Sequence, residues 1–233
     1  MPAKNRIKQY TENGYYHIYN RGTEKRKIFL DKQDYNVFLS YLKEYLLPKN
    51  NNELLEKLSD PSLIGQEREK ILKFLRFNNF SKEITLLAYC LMPNHFHFLI
   101  KQKDATSIDK FMNSLGTRYT MFFNKKYKRV GPLYQGVYKA VLVENHEQFL
   151  HLTRYIHVQA FPHQPSSYNN YIKKQDSEWV HPEEVLSYFS TTNPLLSYEA
   201  FVKADDNFDV IQNITIEEIE ENDLKAWPYK GCP

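Results

Sequence analysis

The chain has only two cysteines among its 233 residues, and it lacks any long hydrophobic run. Cys90 and Cys232 offer neither the spacing of a zinc site nor that of a disulfide framework. No segment has the length and apolar character of a membrane span, and no apolar core of a signal peptide follows the basic N-terminal residues. These absences predict a protein of a reducing compartment, most simply the cytoplasm, with no membrane partner.

The composition is that of a folded protein with an uneven charge. Hydrophobic residues make up 42% and aromatic residues 15%, enough for a packed core. Residues 1–164 carry 26 lysines and arginines against 15 acidic residues, whereas residues 165–233 carry 5 against 13. A basic body favours a polyanionic partner. We therefore predict a main domain over 1–164 and an acidic C-terminal extension over 165–233.

The most informative stretch runs from Ile84 to Gln102. An apolar run meets Pro93-Asn94, a turn signal, and a second run then alternates in polarity. This pattern predicts a β-hairpin whose second strand places His95 and His97 on one face and phenylalanines on the other. The two imidazoles, roughly 7 Å apart, can reach one ion. Two structural histidines would give the same pattern, and for an isolated His-x-His that is the commoner case.

Apolar periodicity predicts the remaining elements. A first strand begins at Tyr15, and a helix capped by Asp31 follows it. Residues 50–80 have the pattern of a helical insertion. Beyond the hairpin, we expect a helix over 107–126 and a strand over 137–143. A further helix begins at Asn145 or the neighbouring glutamates and runs towards Pro162. This order predicts an α/β (α+β) ferredoxin-like sandwich, in which a central antiparallel sheet is flanked by helices.

Three polar side chains stand in one line on the last of these helices. His151, Tyr155 and Gln159 recur every four residues beside an apolar packing stripe. Such a line fits either a solvent-exposed rim or half of an active site, and the pattern does not choose between them.

Four short motifs in register carry a family resemblance. They are Tyr16-His17-Ile18-Tyr19-Asn20-Arg21-Gly22, Met92-Pro93-Asn94-His95-Phe96-His97, Gly131-Pro132-Leu133-Tyr134-Gln135-Gly136 and Arg154-Tyr155-Ile156-His157. Together they resemble the single-tyrosine HUH transposases, and within that family the branch of REP-associated tyrosine transposases. The resemblance covers roughly residues 12–175.

The resemblance implies an enzyme that cleaves and transfers single-stranded DNA, often at a hairpin. His95 and His97 correspond to the ligands of a divalent metal, Mg²⁺ or Mn²⁺, and Tyr155 to the nucleophile that forms a 5′-phosphotyrosine. Many members of the branch have Asn-Pro where this chain has Gln159-Ala160. Because related insertion-sequence transposases use glutamine at this offset, we interpret Gln159 as a substituted metal ligand.

Other candidates surround this core of the site. His151 is a possible proton carrier, although a surface histidine is an equal alternative, and His157 is predicted to be structural. The candidate DNA-binding residues are Arg21, Arg118, Lys125, Lys126, Lys128, Arg129, Lys139 and Arg154. Cations near a helix C-terminus also favour the helix dipole, so a structural role for some of these is open. The expected partner is single-stranded or hairpin DNA, bound by a monomer or a homodimer.

Two alternative functions are compatible with the same residues. A domesticated protein could bind hairpin DNA without cutting it, or a His-x-His metal hydrolase could act on a small substrate. The hydrolase leaves the basic half and Tyr155 unexplained, and a non-cutting binder would be free to lose any of the three site residues. In the acidic extension, the sequence predicts a glutamate-rich helix over 214–223, either solvated or packed over the basic surface.

Overall fold

A computed structural model describes residues 10–160, 163–204 and 209–215. The strands in these ranges are β1 (Tyr15–Arg21), β2 (Ile84–Met92), β3 (His95–Gln102) and β4 (Lys139–Leu142). The α-helices are α1 (Lys32–Leu46), α2 (Asn51–Leu58), α3 (Gly65–Arg76), α4 (Ser107–Lys126), α5 (His146–Gln159), α6 (Tyr168–Tyr171), α7 (Glu183–Leu186) and α8 (Tyr198–Lys203). Short 3₁₀ turns lie at Thr23–Lys25, Pro194–Leu196 and Asp209–Ile214.

The strands form one antiparallel sheet in the order β2-β3-β1-β4. β2 and β3 are the predicted hairpin, closed by Pro93-Asn94, and β1 pairs with β3 on its other side. The element order and the antiparallel pairing confirm the predicted ferredoxin-like α+β fold.

Helices cover both faces of the sheet. On one face, Phe96 and Phe98 of β3 pack with Phe38 of α1 and Tyr119 of α4 in a large aromatic core. On the other face, Leu99 of β3 belongs to a second apolar cluster with residues of α5. Because strand side chains alternate, the same strand supplies phenylalanines to one layer and histidines to the other.

The helix starts follow local capping chemistry. The Asp31 side chain accepts a hydrogen bond from the backbone amide of Asp34, and the Asp34 side chain accepts one from the backbone amide of Asp31, which forms a capping box. Asn145 caps α5 by accepting from the amide of Gln148. These contacts confirm the predicted cap of α1 and, of the two alternatives for α5, select Asn145.

The helical insertion is confirmed as α2 and α3. Neither helix buries a side chain, as the exposed charge pattern of this segment predicts. None of the helices in the described ranges combines the length and hydropathy needed to cross a membrane.

The segment after α5 attaches to the outer edge of β2. The amide of Leu91 donates to the carbonyl of Pro165 at 2.9 Å, and the amide of Ser167 donates to the carbonyl of Tyr89 at 3.0 Å. Farther along, Val185, Tyr198 and Val202 join the core around α5. The first part of the extension thus packs on the sheet domain, while the predicted glutamate-rich helix falls almost wholly outside the described residues.

Candidate active site

Three aromatic rings from three elements meet on the α5 face of the sheet. His17 of β1 and His97 of β3 are stacked, with ring centroids 5.0 Å apart. The ring of Tyr155 from α5 stands nearly perpendicular to both, with its centroid 5.4 Å from that of His97 and 6.2 Å from that of His17. The structure therefore brings the predicted nucleophile against one of the two predicted metal ligands.

The C-terminal end of α5, where Gln159 lies, points towards the hairpin turn. Near the start of the helix, Phe149 packs on Tyr15 at the far end of β1, with ring centroids 5.1 Å apart. Just beyond its end, Pro165 bonds to Leu91, close to the turn between β2 and β3. Gln159 lies one helical turn, about 5.4 Å, beyond Tyr155 in this direction, which is the side of His95.

Hydrogen bonds orient both predicted metal-binding histidines. Nδ1 of His97 lies 2.8 Å from Nε2 of His17, and Nδ1 of His95 lies 2.6 Å from the side-chain oxygen of Asn94. Nε2 of His97 is buried and has no hydrogen-bond partner among the described residues. A buried nitrogen without a partner is costly unless another group occupies that position.

Burial holds both imidazoles in the neutral form. It lowers the pKa of His95 to about 4, with a smaller contribution from the charge of Arg21. Burial also places the pKa of His97 well below its usual value, and nearby His95 and His17 lower it further. Neutral imidazole is the form that binds a divalent metal.

The donor set fits a weakly held divalent ion. In ranges 10–160, 163–204 and 209–215, no group of three or more His, Cys, Asp or Glu side chains is arranged to hold a metal. Two imidazole nitrogens are present, so a third protein donor would come from a side chain of another type. The amide of Gln159, at the end of α5 that points towards the hairpin turn, is a candidate. A site with few ligands leaves positions open for phosphate and water.

Two predicted DNA-binding cations lie on the same face of the sheet as the histidines. Arg21 of β1 lies opposite His95 of β3 in the strand register. Its guanidinium donates a hydrogen bond to the side-chain oxygen of Gln135 at 3.2 Å. Lys139 is exposed on β4, opposite Tyr19, which in turn lies opposite His97. Arg21 and Lys139 thus lie to one side of the two histidines, on β1 and β4.

Two other predicted cations lie between α1 and α4, where acidic residues neutralise them. Arg118 pairs with Glu44 at 2.7 Å, and its side chain is largely covered. Lys126 pairs with Asp31 and Asp34, each at 2.7 Å. Both side chains contribute to helix packing.

Arg154 is also removed from solvent. It is buried beneath α8, where Nε donates to the carbonyl of Val202 at 3.4 Å. Tyr155, the predicted nucleophile, is the next residue on α5, and its side chain faces the histidines instead.

The middle of α4 lies near the hairpin turn, and the C-terminal end of the helix carries further predicted cations. The hydroxyl of Tyr119 donates to the carbonyl of Ile28 at 2.6 Å, and the amide of Ile28 donates to the carbonyl of Pro93 at 2.7 Å. Lys125 and Lys128 are exposed at this end. Arg129 is half-buried and bonds to the side chain of Asn124 at 2.9 Å.

Two histidines of α5, His151 and His157, face the C-terminal segment. His157 is fully buried between the hydroxyls of Tyr198 and Ser167, each 2.7 Å from a ring nitrogen, and burial lowers its pKa to about 3. The ring of His151 lies 5.6 Å from that of Phe201. His157 therefore has the contacts of a structural residue, and the proton-carrier role of His151 stays a prediction.

Sequence reasoning gave no role to His17, although it lies in the first of the four motifs. Its ring is fully buried and contacts both His97 and Tyr155. The available signal was its alternation with Tyr15 and Tyr19 along one strand.

Comparison with known proteins supports the predicted family. Residues 54–159 match the family model described as "Transposase IS200 like". A REP-associated tyrosine transposase bound to a REP hairpin is 10% identical, with 76% of this chain and 96% of that chain covered and a TM-score of 0.44. A candidate transposase from Deinococcus radiodurans R1 is 13% identical, with 66% and 95% covered and a TM-score of 0.35. No curated protein matches the chain.

Proposed function

We propose that this chain is an IS200-like transposase. It cleaves and transfers single-stranded, hairpin-containing DNA through a 5′-phosphotyrosine. One observation supports this most directly. The ring of Tyr155 lies against that of His97, whose buried Nε2 has no hydrogen-bond partner in the described part of the chain. A nucleophile and a metal-binding nitrogen are thus held together.

The reaction is an exchange of esters at phosphorus. The hydroxyl oxygen of Tyr155 attacks the scissile phosphorus, its proton leaves to a base, and the bond from phosphorus to the 3′ oxygen breaks. The 3′ oxygen takes up a proton, and the ester to Tyr155 keeps the bond energy that a second 3′ hydroxyl uses for rejoining. A phenol with a pKa near 10 is mostly protonated at neutral pH and requires activation.

The site residues divide this work between them. His95, His97 and Gln159 would hold the ion, Mg²⁺ or Mn²⁺. When bound, such an ion polarises the phosphoryl oxygen and stabilises developing charge. Arg21 and Lys139 lie beside the histidines on β1 and β4 and would bind phosphates next to the scissile bond.

The basic end of α4 extends this surface beyond the site. Lys125 and Lys128 are exposed at the C-terminal end of α4, so they would contact phosphates farther along the strand. Arg129 would contribute at the same end, whereas Arg118, Lys126 and Arg154 support the fold.

A second candidate function is hairpin binding without cleavage. It is favoured by the low accessibility of the site, since Tyr155 exposes 3% of its surface and His97 none. A phosphate reaches these side chains only if α5 or its neighbours move. A protein that never makes this movement would bind DNA and leave it intact.

A labelled-strand experiment separates the two functions. The purified full chain is incubated with Mn²⁺ and single-stranded hairpin oligonucleotides from the DNA flanking its own gene. Two preparations are used, one labelled at the 5′ end and one at the 3′ end. Cleavage should move the 3′ label into a covalent protein band on a denaturing gel and convert the 5′ label into a shorter free strand. A shift seen only on native gels would favour the second candidate.

A further inference from the structure

His17 is the buried partner of a proposed metal ligand. Its Nε2 lies 2.8 Å from Nδ1 of His97, the two rings are stacked within 19° of parallel, and neither ring has any exposed surface. Cross-strand register produces this contact, because His17 lies opposite Leu99, and His97 is the next residue on the same face of β3.

A hydrogen bond between two neutral imidazoles has two possible arrangements of its proton. In the first, Nδ1 of His97 carries the hydrogen and donates it to His17, which leaves Nε2 of His97 with a free lone pair. In the second, Nε2 of His17 donates to Nδ1 of His97. Nε2 of His97 then carries the hydrogen of that ring and has no lone pair with which to coordinate a metal. That Nε2 is buried with no partner among residues 10–160, 163–204 and 209–215, so the second arrangement also strands a buried donor.

We infer that His17 is a positioning residue that accepts the Nδ1 proton of His97 and thereby presents Nε2 of His97 to the metal. This inference rests on the proposed function, because it requires the metal site. His17 would thus take the place of the carboxylate or carbonyl oxygen that usually accepts a hydrogen bond from the second ring nitrogen of a metal-bound histidine. A neutral imidazole fixes the tautomer without adding negative charge, so the ligand stays weakly basic and the ion weakly held.

The surroundings of His17 suit a fixed acceptor. Its ring also packs on that of Tyr19, with ring centroids 4.8 Å apart, and makes a T-shaped contact with the ring of Tyr155. These contacts restrict ring rotation, which keeps Nε2 directed at His97 rather than at solvent.

The test compares His17→Gln with His17→Leu. Glutamine places an oxygen near the position of Nε2 and keeps an acceptor, whereas leucine fills similar space without one. His157→Leu is the matched control, since His157 is an equally buried histidine with two hydrogen bonds that lie towards the C-terminal segment. Mn²⁺ affinity is measured without DNA by electron paramagnetic resonance, and urea unfolding shows that each variant is folded.

We expect His17→Leu to weaken Mn²⁺ binding about 10–100-fold, with His17→Gln within a few fold of wild type. His157→Leu should lose stability and keep its Mn²⁺ affinity. In the metal-free wild type, nitrogen-15 NMR should show the hydrogen of His97 on Nδ1.

Three outcomes would overturn the inference. They are equal Mn²⁺ affinity in wild type and folded His17→Leu, equal weakening by the leucine and glutamine variants, and a hydrogen of His97 on Nε2. Failure of the wild type to bind Mn²⁺ at all would instead reject the metal site, and with it the proposed function.

Discussion

The two faces of the sheet use the same strands for different purposes. The face towards α1 and α4 is filled by fully buried aromatic rings, among them Phe38, Phe98 and Tyr119. The face towards α5 carries His95 and His97, with Arg21 and Lys139 at the strand ends, next to a smaller cluster of apolar residues. One face can be explained by hydrophobic burial alone, whereas the other buries polar rings that hydrophobic burial does not favour.

The contrast shows where the protein accepts an energetic cost. Nε2 of His97 has no partner in the described structure, and the pKa of its ring is lowered by burial and by two neighbouring imidazoles. A structural core would have no reason to retain such a group. The aromatic face supplies the stability that allows the α5 face to keep it.

The largest expected effect separates chemistry from binding on the α5 face. Tyr155→Phe removes one hydroxyl from a buried ring, so it should abolish the covalent adduct. Native-gel affinity for the hairpin should change by no more than a few fold, since binding rests mainly on phosphate contacts. An adduct that persists in this variant would move the nucleophile to another of the 18 tyrosines.

Adjacent residues of β3 test the contrast between faces. Phe98→Ala should lower the free energy of unfolding by about 3–5 kcal/mol, measured with urea, because it empties the aromatic core. The protein that stays folded should still form the adduct. His97→Ala should destabilise less and lose Mn²⁺-dependent cleavage. If both variants lost activity only in proportion to unfolding, the two faces would not differ in purpose.

The next effect concerns the third ligand. Gln159→Ala should raise the Mn²⁺ concentration needed for cleavage about 10–100-fold, and Gln159→Asn should be milder because it keeps an amide oxygen. Gln159→Glu should bind the ion more tightly yet cleave more slowly, since its charge offsets the polarising effect of the metal. Coincident metal titrations for wild type and Gln159→Ala would make Gln159 an ordinary residue of the helix end.

Local sequence patterns predicted the helices and strands. The contacts between side chains of the site depend on pairing between distant segments, which those patterns do not show. The alternation of His95 and His97 with phenylalanines lies within one strand, so the sequence displays it directly. The His17–His97 bond joins residues 80 positions apart, and only the register of β1 on β3 creates it. The exposed cations and the paired ones look alike in the sequence, because the partners of Arg118 and Lys126 lie on α1.

The smallest expected effect maps the DNA path around the two faces. Log affinity for single-stranded DNA should fall linearly with log salt, with a slope of roughly 0.7 for each phosphate neutralised. Lys139→Ala, beside the histidines, should flatten this slope by about that amount, and Lys125→Ala, at the end of α4, should do the same.

Lys126→Ala is the matched control for this experiment. Lys126 neighbours Lys125 in sequence, but Asp31 and Asp34 already neutralise its charge. Its removal should therefore lower stability and leave the slope unchanged. If Lys125→Ala and Lys126→Ala left the slope equally unaffected while Lys139→Ala flattened it, the strand would contact only the α5 face. The end of α4 would then serve the fold alone, and the division of labour between the faces would be sharper than proposed.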